Sequence, residues 1–170
     1  MSADRIQAWL DTAMAQGHLR ALDRAFALFL RSLDASADDR VIAAGALASF
    51  ELGNGHIGVD VENLLGDLAM DHDRALALPV RPEPAAWLEA LKASVLVGQD
   101  AHETSSPMVL EGGRLYLRRY WRYEQRVAEG IAARLEGDEA PAAELVDDLN
   151  RLFAGQADGT ADWQKIACAL

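Results

Sequence analysis

The 170-residue chain is half hydrophobic and one quarter charged, with a formal net charge of −11. That balance suits a folded domain with a real core, and it excludes a disordered or generally phosphate-clinging protein. The single cysteine, Cys168, excludes an intrachain disulfide, and no run approaches the roughly twenty apolar residues a membrane helix needs. Asp4 and Asp11 interrupt the N-terminal stretch, so it is no secretory signal, and a soluble cytoplasmic protein is expected.

In chain order, Ile6, Trp9, Leu10, Ala13 and Met14 predict a first helix stopped at Gly17. Leu22, Phe26, Phe29, Leu30 and Leu33 predict an amphipathic second helix over about 19–33. Asp38 or Asp39 can cap a third, VIAAGALASFEL, apolar nearly all round and therefore central. In GNGHIGVDV, Ile57, Val59 and Val61 alternate with polar or small residues, the period of a short strand. Asp60 can cap the next helix, with its stripe at Val61, Leu64, Leu65 and Leu68.

Residues 71–83 read as a polar, proline-containing loop, and Pro84 opens a helix turning Trp87, Leu88 and Leu91 inward. MVLEGGRLYL predicts a hairpin turning at Gly112-Gly113. Tyr120, Val127, Ile131 and Leu135 then mark the inner side of a long helix closed by Gly137. Pro141 opens a helix carrying Leu145, Leu149, Leu152 and Phe153. After the connector GQADGTAD, Thr160 or Asp162 can cap a last helix, WQKIACAL. The expected fold class is mainly α with a small β component. Within it, about residues 39–118 have the helix–strand–helix–helix–hairpin order of a winged-helix-like unit. Residues 1–155 are expected to form one domain, and 156–170 a connector and the start of another. The last helix lacks a terminal cap, which has the look of a cut in a longer polypeptide.

Charge is segregated. Residues 111–130 hold five arginines, Arg114, Arg118, Arg119, Arg122 and Arg126, against three glutamates, so the remainder carries −13. On a helix, Arg118, Arg122 and Arg126 fall four apart beside Arg119, and are expected on one exposed side with Tyr123 close by. Three readings remain open. The arginines bridge to carboxylates of the same domain, or they anchor a protein partner, or they contact DNA against the global charge.

Candidates for chemistry are few. His18, His56, His72 and His102 show no shared ligand spacing, and Asp71-His72-Asp73 reads as a polar turn, so no metal site is expected. Ser105 and Ser106 lack a glycine elbow, and Cys168 reads as a buried structural thiol. The chain has no GxxxxGK[ST] phosphate loop, its only lysines being Lys92 and Lys165. No catalytic residue is assigned.

Four segments, HLRALDRAFALFL, GNGHIGVDV, SSPMVLEGGRLYLRRYWRYEQRVA and DWQKIACAL, carry a resemblance. The chain resembles the N-terminal region of the alpha subunit of exodeoxyribonuclease V, the RecD helicase family. Two positions depart from the usual pattern: Asn54 stands in place of an acidic residue, and Gly58 in place of a cysteine or similar residue. The resemblance implies a non-catalytic part of an ATP-driven 5′-to-3′ DNA helicase working in a three-subunit helicase and nuclease that processes double-strand breaks. It implies docking onto the gamma and beta subunits, chiefly gamma, with DNA reached through the whole complex. ATP and Mg would belong to the full-length subunit, with Gln164 at the position of an adenine-contacting glutamine. The candidate partner or DNA surface is Arg114, Arg118, Arg119, Arg122, Arg126 and Tyr123, for which the resemblance favours a protein partner before DNA and singles out no one arginine.

Overall fold

The computed structural model describes residues 2–70, 78–99, 105–135, 143–153 and 163–169. Two compact units divide the chain, Met1–Tyr123 and Glu124–Leu170. The first opens with helices α1 (Ser2–Ala15) and α2 (Ala21–Leu33), followed by α3 (Asp39–Gly53). Asp38 caps α3 by accepting a hydrogen bond from the Arg40 backbone N–H at 2.8 Å. Val41, Ile42, Ala43 and Ala46 of α3 are wholly buried, so the helix that is apolar all round is the central one, as expected.

Strand β1 (Gly58–Asp60) leads directly into α4 (Val61–Met70). The Asp60 carboxylate accepts from the Asn63 N–H at 2.9 Å, the N-cap the sequence predicts. Helix α5 (Pro84–Ala93) starts at its proline and buries Trp87 and Leu91. Strands β2 (Val97–Gly98), β3 (Met108–Glu111) and β4 (Arg114–Leu117) complete a four-stranded sheet in the order β1-β4-β3-β2. The hairpin between β3 and β4 turns on Gly112 and Gly113, at φ 55° and 81°. Positive φ at both central residues is what a two-residue hairpin turn requires, and glycine meets it without strain. Strand β2, parallel to β3, was not expected: two residues show no period.

The sheet has two differently covered faces. Val59, Leu115, Leu110, Met108 and Val97 join the main helical core. On the other face Val109 and Tyr116 form a small second cluster with Trp121. Cross-strand register aligns Gly58, Tyr116 and Val109 in one row. A Cβ at position 58 would lie 2.3 Å from the Tyr116 ring, so glycine at this position makes room for that tyrosine.

Helix α6 (Arg118–Leu135) begins in the first unit and continues into the second, which also holds α7 (Ala143–Leu152) and α8 (Trp163–Ala169). In the second unit Leu149 is buried, and Lys165 donates to the Asn150 side chain at 2.6 Å. Pro141, Gly137, Thr160, Asp162, His72, His102 and the Asp71-His72-Asp73 cluster lie outside the described residues.

Two inward faces differ from expectation. On α2 the buried residues are Asp23, Ala27 and Leu30, whereas Leu22, Phe29 and Leu33 are exposed. The expected stripe is therefore about a quarter of a turn off the true inner face, with Leu30 common to both. On α6 the expected inner residues Val127, Ile131 and Leu135 are exposed, and the buried ones are Arg118 and Trp121. Cys168 is exposed as well, so it is not the buried thiol expected.

Candidate docking surface

The root of α6 is built from Arg118. Its backbone N–H donates to the Pro107 carbonyl at 2.9 Å, and its Nε to the Ser106 carbonyl at 2.8 Å. Its Nη2 reaches the Ser106 hydroxyl and, at 3.4 Å, the Met108 carbonyl. The guanidinium also lies 5.9 Å from the centre of the Trp121 ring. Arg118 is 6 % exposed, which removes it from the exposed cluster the sequence suggests. A planar fork of five donors suits this task, because several carbonyl and hydroxyl oxygens can be answered by one side chain.

Trp121 completes the root. Its ring is buried against Val109 and Tyr116, and its Nε1–H donates to the Glu111 carboxylate at 3.1 Å. The remaining arginines of the cluster turn outward. Arg119 donates to the Tyr123 hydroxyl at 2.9 Å and stacks over that ring at 5.5 Å. The hydrogen bond to Tyr123 raises the Arg119 pKa above its ordinary value. Arg122 and Tyr123 are exposed, and so is Arg126 in the second unit. Arg114 is exposed at the start of β4, in register with Asp60 on one side and Glu111 on the other. Among the described residues Arg114 and Arg126 form no ion pair.

Internal ion pairing is concentrated elsewhere. Both oxygens of buried Asp39 are answered, by Arg5 at 3.0 Å and by Arg31 at 2.6 Å. Asp23, fully buried, accepts from the Arg20 backbone N–H, from two Arg20 guanidinium nitrogens and from the Ser49 hydroxyl. Burial alone would raise the Asp23 pKa, but the Arg20 and Ser49 hydrogen bonds overcome it and hold the carboxyl below its usual range. Sequence reasoning missed this network. Its only local signal is Arg20 three residues before Asp23, the spacing of a reciprocal cap.

Two open hollows flank the sheet. One, of about 410 Å³, is lined by Leu88, Lys92, Gln99, Leu110 and Glu111. The other, of about 200 Å³, is lined by Glu51, His56, Asp60, Asn63 and Arg114. In the second, His56 Nε2 lies 3.8 Å from Glu51 Oε2. Among the described residues no group of three His, Cys, Asp or Glu side chains converges. Among the same residues no helix is long and apolar enough to cross a membrane. Gln164 stands exposed on α8. The sequence holds no GxxxxGK[ST] phosphate loop.

Residues 15–116 match the family described as RecBCD enzyme subunit RecD, N-terminal domain. The chain belongs to this family. It is 38% identical over 118 residues to the RecBCD enzyme subunit RecD of Mycolicibacterium smegmatis, covering 68% of this chain and 18% of that protein. It is 37% identical over 127 residues to the same-named subunit of Mycobacterium tuberculosis strain H37Rv, covering 73% and 19%. With that of Haemophilus influenzae it shares 31% over 105 residues, covering 60% and 16%. The chain thus spans about a fifth of the length of the curated relatives it matches. The family match runs from the end of α1 to β4, so Arg118 and the rest of α6 lie beyond it.

Proposed function

We propose that this RecD-family domain is a non-catalytic docking module of an ATP-dependent 5′-to-3′ DNA helicase subunit. In this reading it holds that subunit in an exodeoxyribonuclease V assembly that repairs double-strand breaks, chiefly against the gamma subunit, with beta the other partner. ATP and Mg belong to the motor of the full-length subunit, and Gln164 is of use only there. Residues 1–155 form the docking module and 156–170 a connector with α8. One observation carries the reading: Arg119, Arg122 and Tyr123 face solvent on a helix whose root Arg118 and Trp121 lock into the fold. Arginine and tyrosine anchor protein interfaces well, since a planar fork and a stiff ring lose little freedom on contact. In so acidic a chain they offer a localised positive patch to an acidic partner surface.

A DNA-contacting winged-helix-like unit over about 39–118 is the second reading. It is supported by the order α3-β1-α4-α5 before the β3–β4 hairpin, by the pairing of β1 with β4, and by exposed Arg114 beside the hairpin turn.

Binding of the purified gamma subunit to the wild-type chain and to an Arg119→Glu/Arg122→Glu/Arg126→Glu variant tests the first reading. A loss of about tenfold or more is expected, with unchanged circular dichroism. Equal affinity would remove these residues from the interface. Retention of the wild-type chain on single-stranded or duplex DNA at low salt, weakening steeply as salt rises, would favour the second reading.

A further inference from the structure

Carboxylates outnumber lysine and arginine by 27 to 16 in this chain, so an arginine without one is a matter of placement. Arg20, Arg24, Arg31 and Arg40 each hold an acid of their own chain at 2.6–2.9 Å. Arg119 is different. Among the described residues its partner is the neutral phenol of Tyr123. The residues three and four positions on along α6 are Arg122 and Tyr123, so no acid of that helix stands within reach. The Arg119 charge is thus held in place without being neutralised.

How it is held decides what it can take. Its Nε–H donates to the Tyr123 hydroxyl at 2.9 Å, and the guanidinium lies 5.5 Å from the centre of that ring. Half-buried Tyr120 steadies the ring in turn, edge to face at 6.0 Å and 82°. With Nε engaged, the two Nη groups remain, and side by side they form the fork that meets both oxygens of one carboxylate. Part of the freedom an arginine loses on binding is already lost before a partner arrives. The charge pattern then separates two kinds of anionic partner. A nucleic-acid backbone is charged continuously, so a strand longer than the patch also meets a remainder of −13. An acidic side chain on a folded protein answers to charges within about a Debye length, ~8 Å, and there it meets arginine.

We infer that Arg119 and Tyr123 form a preassembled receptor for a glutamate or aspartate side chain of another polypeptide, with Tyr123 the positioning residue that sets the arginine fork. This inference rests on the docking reading above and names the contact by which the acidic partner is recognised.

The test is an NMR titration of the full 170-residue chain, read at the Arg119 Nε–H signal and the Tyr123 ring protons. The probe is a short synthetic Glu/Ala peptide; the control carries Gln in place of every Glu. Both signals move with the acidic peptide and stay still with the control. Arg119→Lys, which keeps the charge and loses the fork, weakens binding about fivefold. Tyr123→Phe, which keeps the ring and removes the hydroxyl, weakens it about threefold. In the Arg119→Lys background Tyr123→Phe changes nothing, a coupling that a merely structural role of Tyr123 does not produce. Circular dichroism is the same for every variant. Four results would each overturn the inference: equal response to the two peptides, additive losses in the double variant, tighter binding of a short oligo-dT than of the acidic peptide, or movement on concentrating the chain alone, which makes a second copy the occupant. The outcome is separable from that of the docking reading. If the triple glutamate variant loses the gamma subunit while the acidic peptide leaves Arg119 unmoved, the inference falls and docking stands. If the peptide is recognised as described while the gamma subunit binds both chains equally, docking through this surface falls and the inference stands.

Discussion

Helices α2 and α6 are both amphipathic and both rich in arginine and large apolar residues, yet they are mounted in opposite senses. On α2 Arg31 turns inward to buried Asp39, Arg24 pairs with Asp11 at the surface, and leucine and phenylalanine meet solvent. On α6 one arginine and the tryptophan turn inward and the remaining arginines meet solvent. The difference lies in what waits on the neighbouring elements. Beside α2 sits the buried carboxylate Asp39 of α3, and α2 carries a buried carboxylate of its own, Asp23, each near a helix N-terminus that favours negative charge. Those anions need cations, and the cost of leaving either without one fixes the helix's rotation. Beside α6 sit the carbonyls of Ser106, Pro107 and Met108, which need donors but can be satisfied by one guanidinium and one backbone N–H.

The sharpest way to break the contrast is within α2 itself. Leu30→Ala should destabilise the chain by about 3 kcal/mol, since Leu30 is fully buried. Leu33→Ala, three residues on, should change stability by less than about 0.5 kcal/mol. Urea unfolding of the two variants side by side reads this; comparable losses would mean that the outer face is covered.

A somewhat smaller effect is expected from the buried acid. Asp23→Ala leaves Arg20 and Ser49 without their acceptor and should cost about 2–3 kcal/mol. The same group gives a pH signature. Its folded pKa is depressed, so its contribution is full above the unfolded value near 3.9 and is lost as pH falls through the folded value. Across that acid window the wild-type chain should lose more stability than Asp23→Asn does. Parallel acid profiles would show that the carboxylate contributes nothing to the fold.

Smallest is the contrast along α6. Arg118→Met, which removes the guanidinium donor to the Ser106 carbonyl, should cost about 2 kcal/mol and speed amide exchange over the first turn of α6. Arg122→Glu, four residues later on the same helix, should stay within about 0.5 kcal/mol. Equal costs would mean that Arg118 is not the strut its geometry makes it.

Much of the fold was legible. The apolar content of VIAAGALASFEL identified the central helix, Asp60 and Pro84 marked two helix starts, and Gly112-Gly113 marked the hairpin. Each of these rests on a local conformational requirement that a residue type meets by itself. The candidate surface was only half legible. Arg119, Arg122 and Tyr123 are exposed as their spacing suggests, but Arg118, same in type and spacing, is a strut. Nothing in periodicity separates Arg118 from Arg122, because the distinction is made by carbonyls ten and twelve residues away.

The sequence by itself therefore determined where helices begin, where the chain must turn, and that positive charge is gathered in one stretch. Tertiary structure alone decided which side of each amphipathic helix is the inside. Periodicity defines two faces but attaches no sign to them when both can be buried. The sign comes from long-range partners, here Asp11, Asp39 and Ser49 for α2, and Glu111 and the Ser106–Met108 backbone for α6. Unanswered buried charge and unanswered buried carbonyls cost more than a few exposed leucines, so those partners prevail.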